Sequence, residues 1–239
     1  MTLEAKGVRK DFPRVRGGAM FSAVEPVDLR LNPGELLVIR GRSGSGKSTL
    51  LSMMAGILAP TEGAVLIDGE DLYALPDAVA SALRNERIGV IPQGHTALRS
   101  LSVLENVLLP SIIRARVEQE GVRERAEALL EGVDLAPLAD ARPDELSGGE
   151  LRRMAVARAL VMRPETVLAD EPTAGLDAGN AQTALRMLRR VADEGAAVLV
   201  VTHEDEAVHF ADRVMVMESG VLRLGDAPRG GSPTCEDLK

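Results

Sequence analysis

The stretch "GRSGSGKST", residues 41–49, packs three glycines, one lysine and four hydroxyl side chains into nine positions. Glycine at 41, 44 and 46 lets successive backbone N–H groups turn inward, and such a turn opening a helix binds phosphate oxygens. Lys47 adds a compact positive charge for the β and γ phosphates of a nucleoside triphosphate, and the Ser48 hydroxyl is placed for Mg2+. The candidate nucleotide contacts are therefore Gly41, Arg42, Ser43, Gly44, Ser45, Gly46, Lys47, Ser48 and Thr49. Their context is the one this chemistry needs: "ELLVI" before them predicts a strand and "STLLSMMAGIL" after them a helix.

Two further stretches carry chemistry. "ETVLADEP" predicts a buried strand ending in Asp170 and Glu171. At the carboxyl end of a parallel strand, Asp170 would hold Mg2+ and Glu171 would polarise the water that attacks the γ-phosphate. Alone, such a pair is an ordinary solvated loop start; beside a phosphate-binding loop it completes a site. In "DELSGGELRRM", Ser147, Gly148 and Gly149 open a second helix with a hydroxyl and unhindered N–H groups. A serine-capped helix would look the same, so this second anion grip needs a reason to exist.

These groups must be positioned by an α/β architecture. Short aliphatic runs alternate with helical patterns, predicting a mostly parallel sheet from 35–41, 63–69, 87–93, 165–170 and 196–203. "RVMVMESGVLRLG" predicts a hairpin turning at Ser219 and Gly220, and residues 3–31 an antiparallel part. Residues 94–163 show helical spacing broken at Pro110 and Gly121, with no strand candidate. They are expected to form a helical insertion in a core made of 1–93 and 164–226, with a flexible tail at 227–239.

Composition bounds the alternatives. With 239 residues, 45% hydrophobic and 27% charged, the chain can bury a sizeable core. A net charge of -8 gives no support to nucleic-acid binding, which rests on clustered Lys and Arg. The single cysteine, Cys235, permits no internal disulfide and fits a reducing compartment. No apolar run is long enough to span a membrane, and the first residues lack the apolar segment of a secretory signal.

Taken together, "GRSGSGKST", Gln93 in "IPQG", "LSGGE", "LADEPTAGLD" and His203 in "VVTHE" resemble, in order and spacing, the ATP-binding-cassette ATPases. The resemblance covers nearly the whole chain and implies a P-loop NTPase core, RecA-like, with an N-terminal antiparallel β part and a helical subdomain. It gives the second grip a purpose. In that family the signature closes over ATP held by the partner's P-loop, so a second copy of the chain is implied, packed head to tail. Gln93 would touch Mg2+ or the attacking water, His203 would meet the γ-phosphate and orient that water, and Asp177 would sit at the dimer contact. Adenine stacking falls to Phe12 or, alternatively, Phe21. His95 and His209 match no motif. Glu150 stands where Gln is usual; it has no assigned role and is expected to point away from the phosphates.

"SLSVLENVLLPSI", "ERIGVIPQ" and "VRGGAMFSAVEPVDL" look most like the subfamily serving lipoprotein release and macrolide or peptide export. The resemblance then implies ATP hydrolysis on the cytoplasmic face of a membrane, driving an integral-membrane permease that docks near residues 93–109. One competing class is a cytosolic scaffold ATPase of the same family without a permease, and another is a module that binds ATP without hydrolysing it. A membrane partner separates out the first. The effect of Glu171→Gln on turnover separates out the second.

Overall fold

The computed structural model describes residues 1–14, 18–94, 97–115 and 121–225. His95, Cys235 and the expected tail at 227–239 lie outside them. Strands β1 (Leu3–Pro13), β2 (Met20–Leu31) and β3 (Leu36–Arg40) come first, then helix α1 (Lys47–Met54). Next are β4 (Glu62–Ile67), β5 (Glu70–Asp71), α2 (Asp77–Arg87) and β6 (Ile88–Ile91). The helices α3 (Val103–Ala115), α4 (Val122–Gly132) and α5 (Gly148–Leu160) follow. The chain then runs through β7 (Thr166–Asp170), α6 (Ala178–Asp193), β8 (Ala197–Thr202), β9 (Arg213–Glu218) and β10 (Val221–Leu224).

Six strands form the main sheet in the order β10-β9-β3-β8-β7-β6, parallel except for the β9–β10 hairpin. That hairpin turns at Ser219 and Gly220, both with positive φ (48° and 83°), the conformation of a tight hairpin turn. Every residue of β7 and β8 is buried, as expected of strands covered on both faces. In β8, Ala197, Leu199 and Val201 point into one core and Val198 and Val200 into the other. The first core lies under the antiparallel sheet and contains α1; the second lies under α5 and α6.

Two expectations are corrected. The run at 63–69 does form a strand, β4, but it joins β1 in a second, antiparallel sheet ordered β2-β1-β4-β5, with Leu3 opposite Ile67 and Ala5 opposite Val65. Only Val65 and Ile67 of β4 are buried, so it presents one face to the core. A short apolar run does not reveal whether one or both of its faces will be covered. Pro110 does not end a helix; it lies inside α3. Its missing N–H costs one ladder bond. The helix persists because Val103, Leu104, Val107 and Leu108 pack against α4 and α5 in a core of their own. Gly121 does act as a break, capping α4 at φ 75°. Among the described residues, 97–163 hold helices and no strand.

Candidate nucleotide site

The functional side chains meet at the carboxyl ends of parallel strands, where α/β sheets bind ligands. β3 leads into the Gly-rich loop, β6 into Gln93, β7 ends in Asp170, and β8 ends just before His203. The backbone of the loop is fixed by its neighbours. Gly46 has φ 105°, and a Cβ there would stand 2.3 Å from the Ala23 carbonyl oxygen; one on Gly41 would stand 2.2 Å from that of Met217. Both positions therefore admit only glycine. Gly46 is also the N-cap of α1, whose first turn directs N–H groups and the positive end of its dipole at the loop.

Lys47 is buried, and its ammonium donates to the carbonyls of Gly41 (2.7 Å) and Arg42 (3.1 Å). The Ser48 hydroxyl donates to Asp170 Oδ1 at 3.1 Å. Burial pushes the Asp170 carboxyl above the ordinary Asp range, while the Ser48 bond opposes that rise. A hydroxyl and a carboxylate in contact are hard oxygen donors of the kind that would suit Mg2+.

Glu171 is held more tightly than any sequence pattern indicates. Its backbone takes φ 49°, a left-handed conformation that non-glycine residues adopt rarely and at some cost. Its Oε2 accepts from the buried Thr202 hydroxyl at 2.8 Å, and its Oε1 lies 2.9 Å from His203 Nδ1. The carboxylate raises the His203 pKa, chiefly through this hydrogen bond. Thr202 Oγ1 also accepts from the Glu204 N–H, and Glu204 is bonded to the Thr173 hydroxyl. No sequence motif marks Thr202, Thr173 or Glu204. A threonine at the end of an aliphatic strand carries no motif, so only the fold reveals that it aims Glu171.

A cleft of about 490 Å3 is lined by Phe12, Phe21, Ser43 to Thr49, Gln93 and Glu171. Gly41, Arg42 and His203 line an adjoining one. Phe12 and Phe21 face each other across β1 and β2 with ring centroids 6.1 Å apart, so both aromatics border the same cleft. Another cleft, of about 570 Å3, opens at the amino ends of β7 and β8 and contains none of these groups.

Ser147, Gly148, Gly149 and Asp177 do not line the nucleotide cleft of their own chain. Ser147 caps α5, and Glu150 completes a capping box: Glu150 Oε2 accepts from Ser147 N–H and from its hydroxyl, both at 2.7 Å. The carboxylate is thus turned back onto the signature serine, whereas the sequence led to the expectation that it points away from the phosphates. The bonds from Ser147 hold its pKa below the ordinary Glu range. Asp177 caps α6, accepting from Asn180 N–H at 2.9 Å. His209 is exposed in a short helical turn away from the cleft.

Residues 24–174 match the family described as ABC transporter. This chain belongs to the ABC transporter family. Among ABC proteins it is similar to the lipoprotein-releasing system ATP-binding protein LolD of Shewanella frigidimarina, 44% identical over 199 residues and covering 83% of each chain. It is also similar to the macrolide export ATP-binding/permease protein MacB of Rhodopseudomonas palustris, 37% identical over 97% of this chain and 37% of that protein. A dimeric ATP-binding cassette in a post-hydrolysis state, bound to ADP and Pi, matches with a TM-score of 0.88 and 34% identity, over 96% of this chain and 100% of that one. A nucleotide-free cassette from an ABC transporter matches at 0.76 and 28%, over 95% and 92% of the two chains. Among the described residues no helix is long and apolar enough to cross a membrane.

Proposed function

We propose that this chain is the ATP-binding and ATP-hydrolysing subunit of an ABC transporter, working as a homodimer that drives a separate membrane permease in lipoprotein release or macrolide-type export. The chain's cargo class is inferred from the names of its relatives, LolD and MacB. It would sit on the cytoplasmic face of the membrane, attached through that permease. The observation that carries the hydrolytic part is the Glu171 carboxylate fixed by Thr202 and His203 beside the Gly-rich loop.

ATP enters the cleft with adenine on Phe12, Phe21 being the neighbouring surface, and its phosphates in the loop at residues 41–49. Lys47 exchanges its carbonyl partners for phosphate oxygens. Mg2+, held by Ser48 and Asp170 with Gln93 beside them, would screen the phosphate charge. Glu171 accepts a proton as water attacks the γ-phosphorus, a role for which carboxylates are suited once fixed in place. With Nδ1 directed at Glu171, the other ring nitrogen of His203 is the one left to meet phosphate. It can donate there only when the ring is protonated, and the raised pKa favours that form. Ser147, Gly148 and Gly149 of one chain close over the triphosphate held by the other, and Asp177 lies at the contact between chains.

The test pairs turnover with capture of partners. The purified chain should release phosphate from ATP, and Glu171→Gln should slow release about a hundred-fold or more. A tagged chain should bring down a membrane protein with several spanning helices. A soluble partner alone would contradict the transporter role, and unchanged turnover in Glu171→Gln would contradict the catalytic one.

A further inference from the structure

Arg152 is almost wholly buried, one helical turn beyond Gly148 on α5. Its guanidinium donates Nη1–H to the Pro92 carbonyl at 2.7 Å and Nη2–H to the Gln93 carbonyl at 2.6 Å. Two successive peptide oxygens at the end of β6 are thus gripped by one planar fork from the helix that begins with the signature. Burying a cation without a carboxylate bonded to it is costly, and burial pushes the Arg152 pKa down. Asp170 and Glu171 lie near enough to offset part of this. The fork geometry offsets part of this cost with two hydrogen bonds that fix both carbonyls at once.

We propose that Arg152 is a positioning residue that ties the signature helix to the Gln93 loop, so that the two move as one body when the dimer closes. The helix start is useful only when a partner's nucleotide reaches it, and Gln93 only when it stands beside its own chain's nucleotide. The two belong to different sites, and the Arg152 side chain links them directly through its two hydrogen bonds. Gln93 is separated from the start of α5 by more than fifty residues in sequence. The hydrogen bonds of Arg152 shorten that path to one side chain. Lysine, with a single ammonium, cannot bridge both carbonyls in the same planar manner.

This inference rests on the ATP-hydrolysing reading for its rate consequence, and hydrogen exchange tests it separately. Arg152→Met keeps the length and removes the fork. In that variant, exchange should quicken in the peptide that ends at Gln93, relative to wild type. The affinity of the isolated chain for nucleotide should change less than about three-fold, while kcat falls about ten-fold or more, since small misplacements of a reacting group are costly. Arg152→Lys should lie between the two. Leu160→Ala, in the same helix, serves as a stability control whose kcat stays near that of wild type. The proposal is overturned if Arg152→Met keeps wild-type exchange and kcat, or if Leu160→Ala loses as much kcat at equal loss of stability. Should Arg152→Met fail to fold, Arg152→Lys decides alone: a several-fold fall in kcat at unchanged nucleotide affinity supports the tie, and wild-type kcat overturns it. A wild-type chain without turnover contradicts the hydrolytic reading only, and leaves the exchange result to judge Arg152.

Discussion

Glu171 and His203 form a hydrogen-bonded pair in which the carboxylate sets the state of the ring. The carboxylate raises the imidazole pKa, so the folded chain favours the protonated ring. By linkage, the pair adds stability below the unfolded value near 6.5, and that contribution fades as pH rises through the raised folded value. The ring is more than half exposed, so solvent screening keeps the effect small. NMR titration of the nucleotide-free chain should place His203 above about 6.5. Glu171→Gln should return it toward that value; an unchanged midpoint would remove the pairing. Glu150 yields a second residue-scale prediction. Glutamine keeps the acceptor oxygen of the capping box and removes a negative charge from beside Ser147, where the proposed dimer would bring a partner's phosphate. Glu150→Gln should leave stability within about 1 kcal/mol of wild type and tighten ATP-driven association several-fold in sedimentation. Equal or weaker association would show that the carboxylate does not face that phosphate. The residues with motifs, Lys47, Glu171 and His203 among them, were legible in the sequence. Thr202 and Arg152 were not, because their partners lie in other elements and nothing local marks the bonds they make.

The strands that carry the site derive their rigidity from burial on both faces. Leu199 in the middle of β8 is fully buried between β3 and β7. Leu199→Ala should therefore cost about 2–5 kcal/mol, seen as a lower urea midpoint with an unchanged slope. A loss under about 1 kcal/mol would mean that the sheet centre relaxes around the cavity. Most elements could be read from their periodicity, including the hairpin at Ser219–Gly220. β4 could be read as a strand but not assigned to its sheet, since pairing with β1 is a long-range choice that a six-residue run does not encode. Pro110 misleads for a related reason: local propensity says stop, and packing against α4 and α5 carries the helix through it.

At the scale of the molecule, the Gly-rich loop and the start of the signature helix do not share a cleft. The loop at residues 41–49 lies with Gln93 and Glu171, whereas Ser147, Gly148 and Gly149 open a helix outside that cleft. In the proposed function one chain would hold two halves of different sites, and two chains packed head to tail would hold two complete ones. A hydrolytic centre completed only by its partner would link nucleotide state to the separation of the two chains. A permease attached to them can then draw work from ATP. The most direct test uses Glu171→Gln, which should slow hydrolysis and let ATP hold the dimer for sedimentation analysis. Adding Gly148→Trp to that variant blocks the signature without touching the loop. The account predicts a monomer that still binds a fluorescent ATP analogue with near wild-type affinity. A dimer that persists with ATP, or a monomer that has lost nucleotide affinity, would contradict it.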